Sequence, residues 1–314
     1  MHTSWRYAAF LFGGATLALI LGHVVYEMLI HDYELFDLVT SVPLFAGLVV
    51  LGAGFFSRRP SRHLLMAAGW AVFAGYWATQ PAFLYTYEEG DVVNALICIL
   101  GVYFLFYLAY HEYLSHQRGE NLQALQFLAG ATFVSTFFYF LIDKLPVLSG
   151  HLIKMVAEHT VWLMKVIGYR VSAGGINYGE SITVPIYFEG SHSVHLILAC
   201  TGLQSMMIFI GVIAALRGVD RRRRWKAFLL TVPVIYLLNL VRNVGVIYGM
   251  EVLGYDFYFM HNVVGKAGSL LALVVLAYVA FDILPELYDN IAALVDLPKR
   301  RGPVERLLAR VVKR

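Results

Sequence analysis

The chain is short of charge and short of cysteine. Only 14% of its 314 residues are charged, against 59% hydrophobic ones. A soluble domain carries about 25% charged and 45–50% apolar residues, so this composition excludes an ordinary water-soluble enzyme and a disordered chain. Two cysteines, Cys98 and Cys200, are too few for a disulfide framework and exclude a small stapled scaffold. Nothing in the sequence calls for a cofactor, and no Cys/His/carboxylate spacing completes a metal-ligand pattern.

What is present is apolar length. Runs long enough to cross a bilayer, about 20 residues each, fall at roughly 7–30, 38–56, 63–87, 92–110, 124–148, 200–217, 227–249 and 261–285. The expected fold is therefore an all-α polytopic membrane protein with about eight transmembrane helices, organised as a single integral membrane domain over 1–314. The first run, 7–30, has the length of a span and lacks a small-residue cleavage site, so it is expected to stay as a helix.

Lys and Arg set the orientation. Arg6, then Arg58, Arg59 and Arg62, then Arg118, then Arg217, Arg221 to Arg224 and Lys226, mark successive segments on one side. The tail adds Lys299, Arg300, Arg301, Arg306, Arg310, Lys313 and Arg314, which brings 18 of the 24 basic residues to that side. The alternate loops 31–37, 87–91 and 250–260 hold no Lys or Arg and are acidic. Both termini are thus expected in the cytoplasm and the long segment 149–199 outside. As topology determinants the arginine runs need no further role, and no nucleic-acid partner is expected. Residues 151–168 carry Lys154, Glu158 and Lys165 on one stripe of an otherwise apolar helix, as an amphipathic helix in the outer interface would. A turn-rich stretch follows, then ITVPIYF and SVHLILA, which predict a small β-ribbon between helices 5 and 6.

Ionisable groups in membrane spans are costly and are functional candidates. Cys200, in LILACTGLQS, sits where an extended stretch ends and the sixth helix starts; it is either an activated thiol at a helix N-terminus or a small buried hydrophobe. Cys98, mid-span, reads as packing. Arg242, in LNLVRN, lies too deep to be a topology charge and shares a polar face with Asn239 and Asn243. Its guanidinium is either a tether between helices or a stabiliser of negative charge on a reacting oxygen. His261, at the outer start of the last span, shares a face with Gly265 and Gly268 at i, i+4, i+7. It is either a proton carrier or an interface residue. Lys266, Ser269 and Asn262 lie on an adjacent face. Glu189, Ser191, His192, Ser193 and His195 in the ribbon admit a metal reading but fit a solvated loop better. Together a thiol, a guanidinium and an imidazole reach one outer level of three successive helices, the set that thiol acyl transfer needs.

The segments ACTGLQS around Cys200, LNLVRN around Arg242, and His261 followed by Gly265 resemble the exosortase/archaeosortase family of membrane transpeptidases. The spacings, 42 residues from cysteine to arginine and 19 from arginine to histidine, also fit. The cysteine motif, with Thr201, Gln204 and Ser205, is most similar to the archaeosortase A branch. The resemblance covers roughly 190–270. It implies a cell-membrane enzyme that recognises membrane-anchored protein substrates with a C-terminal sorting signal, such as surface-layer glycoproteins. Such an enzyme cuts them on the outer face through a cysteine thioester and passes the new C-terminus to an acceptor, in the archaeal branch a membrane lipid. Cys200 would be the nucleophile, Arg242 the proton donor or oxyanion stabiliser, and His261 the base or transition-state partner; some archaeal members carry a second arginine in the last position. The competing expectation is a transporter or channel in which Arg242 binds an anionic solute.

Overall fold

The structure, a computed structural model, describes residues 2–87, 91–179 and 181–312. Three residues of the acidic loop 87–91, one of the turn-rich stretch at 180, and the basic residues Lys313 and Arg314 lie outside the described residues. Helices dominate: α1 (Trp5–Leu29), α2 (Tyr33–Phe56), α3 (Arg62–Tyr87), α4 (Val92–Arg118), α5 (Gln123–Asp143) and α6 (Pro146–Val166) precede a small sheet. After it come α7 (Leu203–Ala215), α8 (Arg221–Glu251), α9 (Phe259–Ile283), α10 (Pro285–Val295) and α11 (Pro303–Val312). Among the described residues six helices are long and apolar enough to cross a membrane: α1, α2, α4, α5, α8 and α9. The protein is a multi-pass membrane protein. Two expected spans fall outside those six. Helix α3 has the length, 26 residues, but mixes Gln80, Thr79 and Thr86 into its apolar run. Helix α7 has only 13 residues, about 20 Å of helix against a hydrocarbon core about 30 Å thick.

The chain folds as two compact units, Met1–Phe133 with Asp289–Arg314, and Val134–Tyr288. In the first, α3 packs against α1, α2 and α4, and its core holds Trp70, Tyr26, Leu44, Leu48 and Met66, all nearly inaccessible. The tail helix α11 docks through Val304 against Leu11, Tyr110 and Leu114.

In the second unit, α6 lies on the sheet. Ile153, Ala157, Val161 and Met164 recur at helical spacing on one face of α6 and close a core with Val171, Val184, Ile186 and Leu196. Its charged stripe points elsewhere: Lys154 pairs with Glu158 at 3.3 Å and donates to the Gly174 carbonyl at 2.8 Å. The expected fifth span, drawn to 148, ends earlier. Leu145 is extended and Pro146 opens α6; a proline disfavours helical backbone in the residue before it, so the apolar run is two helices rather than one.

The sheet is centred on β3 (Ile182–Phe188), with β4 (Ser191–Leu196) along one side. The short β1 (Val171–Ala173) and β2 (Asn177–Tyr178) share the other side. All pairings are antiparallel, and Val184 faces Leu196 across the β3–β4 pair. Glu189 and Gly190 both have positive φ, 50° and 87°, as the two-residue turn of a twisted hairpin requires. Pro185, which cannot donate to a ladder, falls opposite the gap between β1 and β2. The ribbon is larger than expected, since the turn-rich stretch contributes β1 and β2. Its last strand is shorter: it stops at Leu196, because Leu198–Thr201 winds into a 3-10 turn.

Candidate active site

That 3-10 turn carries Cys200, placing the thiol three residues before α7 rather than in its first turn. Thr201 closes the turn, its hydroxyl donating to the Leu198 carbonyl at 2.7 Å and accepting from the Leu203 N–H at 3.2 Å. Gly202 then takes φ +74°, a left-handed conformation that glycine adopts without strain, and a Cβ there would meet the Asn239 side chain at 3.0 Å. The chain can therefore turn sharply out of the ribbon and into α7 while staying against α8.

Helix α8 fixes the turn from the other side. Asn239 and Asn243, one helical turn apart and both buried, each donate a side-chain N–H to the Cys200 carbonyl, at 2.7 and 3.0 Å. One carbonyl with both lone pairs satisfied by side-chain amides holds the backbone of Cys200 in a single orientation. The polar face read from the sequence thus divides its work: the two asparagines hold the cysteine backbone, and Arg242 lines a cavity that Asn239 also borders.

Two adjacent cavities frame the turn. A small one, about 40 Å³, is lined by Cys200, His261, Asn243 and His195; it has room for one or two waters or a carbonyl-sized group. The larger, about 350 Å³, takes Arg242 with Ala199, Gly202, Gln204 and Ser205 near the turn and continues between α8 and α9. Arg242 Nε is buried, lies against Gly265 and has no hydrogen-bond partner. No carboxylate pairs with Arg242 among the described residues, while its charge and that of Lys266 act on the His261 ring.

His261 sits in a π-helical turn, Phe259–Gly265, and stacks on Phe257 at a centroid distance of 5.1 Å. Such turns insert an extra residue into a helix and recur at functional sites. Here the wide turn separates residues that regular helical spacing would keep on one face: His261 lines the small cavity, whereas Gly265 and Gly268 line the larger one.

The structure thus brings Cys200 and His261 to one cavity and Arg242 to the next, all in the second unit. Of the ribbon cluster, His195 joins the small cavity and packs at a tilt against His192, ring centroids 4.3 Å apart; among the described residues no group of three His, Cys, Asp or Glu is placed to hold a metal. Cys98 is buried in α4, and both cysteines are free thiols. Sequence reasoning left Asn239 and Asn243 without a role. The signal was there, as two amides one turn apart in an apolar helix, but it did not say which group they would hold.

Residues 34–278 match the family model described as transmembrane exosortase (Exosortase_EpsH). Archaeosortase A of Haloferax volcanii is 27% identical over 274 residues, 76% of this chain and 88% of that protein. Archaeosortase A of Natronomonas pharaonis is 23% identical over 275 residues, 85% of this chain and 83% of that protein. No solved structure matches. The chain belongs to the transmembrane exosortase family.

Proposed function

We propose that this protein is a membrane cysteine transpeptidase. It cleaves a C-terminal sorting signal from membrane-anchored proteins at the outer face, through a thioester on Cys200, and transfers the new C-terminus to an acceptor such as a membrane lipid. The observation that carries the reading is the fixed turn: Cys200 is held by Asn239 and Asn243 beside a cavity that it shares with His261. The charge pattern supports the sidedness, since the basic segments would lie in the cytoplasm and the ribbon with Cys200 outside.

In this mechanism His261 takes the Cys200 proton and Sγ attacks the scissile carbonyl. Negative charge then builds on the carbonyl oxygen, and Arg242, half-buried and with no partner at its Nε, compensates it. The C–N bond breaks, the proton passes from His261 to the leaving amine, and the acyl group stays on Sγ. An acceptor nucleophile next gives its proton to the same imidazole and displaces the thiolate. The sheet and α6, which bracket the turn, limit water at the thioester and favour transfer over hydrolysis.

The test is intact-mass measurement of a membrane protein bearing a C-terminal sorting signal, co-expressed with this enzyme or its Cys200→Ala variant. Loss of the C-terminal helix plus a lipid-sized gain, only with Cys200 present, is the expected result. A truncated product without added mass would make the enzyme a protease. Equal processing with Cys200→Ala would overturn the thioester.

A further inference from the structure

The sheet has two edges, and they are treated differently. On the far side α6 reaches over: Val171 of β1 packs into the α6 core, and Lys154 donates to the Gly174 carbonyl at 2.8 Å. On the near side β4 pairs with β3 alone. Proteins usually blunt such an edge with lysine, proline or a covering element, because its free N–H and C=O groups attract another strand. The sequence of β4, SHSVHL, holds neither lysine nor proline. His195 and Ile197 are exposed along it.

The register tells which groups are free. Gly174 donates its N–H to the Pro185 carbonyl at 2.8 Å, so Pro185 turns its main chain toward β1. His195 stands opposite Pro185. In an antiparallel ladder, residues directly opposite either exchange both bonds or turn both away. His195 therefore points its N–H and C=O away from β3. Two residues on, Ile197 is still extended, with φ −120° and ψ 174°, and its N–H points the same way. Among the described residues no main chain of another element bonds these groups. The Ile197 carbonyl accepts from the Cys200 N–H at 2.9 Å, so the free edge ends where the cysteine turn begins. A register shift between Ile186 and Tyr187 interrupts the ladder at the other end. The usable stretch is 194–197, about 13 Å of strand at about 3.3 Å per residue.

Two donors and one acceptor at the two-residue repeat of a strand match the main chain of an extended peptide, which offers its own N–H and C=O groups at that repeat. A lipid chain has none to offer, and a helix spends them internally. The edge also leads to the chemistry, since His195 and Cys200 line the same small cavity. We propose that the free edge of β4 is the substrate-binding strand: the substrate segment beside the scissile bond adds to the sheet along 194–197, bonded to the main chain of His195 and Ile197. Naming that peptide the substrate rests on the transpeptidase reading; the unpaired edge does not. The segment must be unwound and must present an N–H to the His195 carbonyl. Neither a membrane helix continued outward nor a proline at that position meets this requirement. Phe257 and Val246 line the cavity beside the edge, so a peptide side chain turned that way meets apolar surface.

The experiment uses the full-length Cys200→Ala protein carrying His195→Cys, co-expressed with a membrane protein bearing a C-terminal sorting signal. Single cysteines are moved one residue at a time through the segment that precedes the membrane helix of that protein. Disulfides to residue 195 are then counted by mass spectrometry after oxidation. Successive side chains of a strand point to opposite faces, so the yield is expected to alternate, neighbours differing by about threefold or more. A flat profile, a helical repeat or no disulfide at all would overturn the strand. No turnover is needed, so the two readings fail separately. Alternation without processing by the Cys200 enzyme would sink the transpeptidase and leave the edge; processing without alternation would do the reverse. In the active enzyme, an amide-to-ester replacement that deletes only the Ile197 N–H should slow processing severalfold, as loss of one hydrogen bond does. An unchanged rate would show that the edge is not used.

Discussion

The two units each pack ionisable groups among apolar side chains, and they treat them differently. In the first, ionisable groups are paired with one another. His63 and Glu112, both almost wholly buried, lie 2.5 Å apart, His111 meets Glu305 at 3.1 Å, and Arg300 pairs with Glu120. In the second, Arg242 has no such partner among the described residues, and the nearby amides are spent on one carbonyl. A buried hydrogen-bonded pair completes itself and serves the fold. A half-buried cation with no carboxylate opposite it among the described residues keeps its stabilising capacity for a charge that arrives with the substrate. The difference separates structural from functional polarity by pairing rather than by burial.

The sharpest way to break that comparison is to remove one partner on each side. Glu112→Ala should destabilise the protein by about 1–3 kcal/mol, because it leaves the His63 ring buried with no partner at either nitrogen. Processing per folded molecule should be unchanged; thermal unfolding in detergent and activity corrected for folded protein read the two effects. Arg242→Gln should do the reverse. No carboxylate is orphaned, so stability stays within about 0.5 kcal/mol, while processing falls about 10²–10³-fold, as loss of one charge stabiliser does. Equal stability losses in both variants would show that Arg242 is a tether between helices.

The sequence was most legible where a single physical rule acts alone. Hydropathy marked the helices, and the alternation in ITVPIYF marked β3 with its bounds. Legibility failed where local backbone geometry overrode pattern. The apolar run through Lys144 and Leu145 hid a helix break that only Pro146 betrays. The π turn at Phe259–Gly265 moved His261 off the face it shares with Gly265 and Gly268 under regular spacing. Within the site, Cys200, Arg242 and His261 stand out by chemistry, as ionisable or nucleophilic groups in apolar surroundings. Asn239 and Asn243 do not, because their part depends on where a turn 39 and 43 residues away comes to rest. A contact across such a separation has no local sequence signature.

The smallest expected effect lies at the tail. Glu305, in the first turn of α11, accepts from the hydroxyls of Tyr107 and Tyr110 at 3.0 Å each and from His111 at 3.1 Å. Tyr110 in turn accepts from the Val304 N–H at 3.2 Å. Burial alone would raise the Glu305 carboxyl. The hydrogen bonds from His111, its own backbone and Tyr107 outweigh burial and hold it at about 2. Because the folded value lies below the ordinary carboxylate value of about 4.3, the clamp is complete above that pH and is lost as pH falls toward 2. Hydrogen exchange at the backbone amides of 303–312, referenced to the intrinsic rate at each pH, should therefore stay slow at pH 5 and accelerate between about pH 4 and 2. In Glu305→Gln that dependence should disappear, with the helix held about 1–3 kcal/mol less tightly at neutral pH. Protection that ignores both pH and the substitution would mean that α11 is held by Val304 packing alone, and the first unit would then contain polar contacts that do not stabilise it.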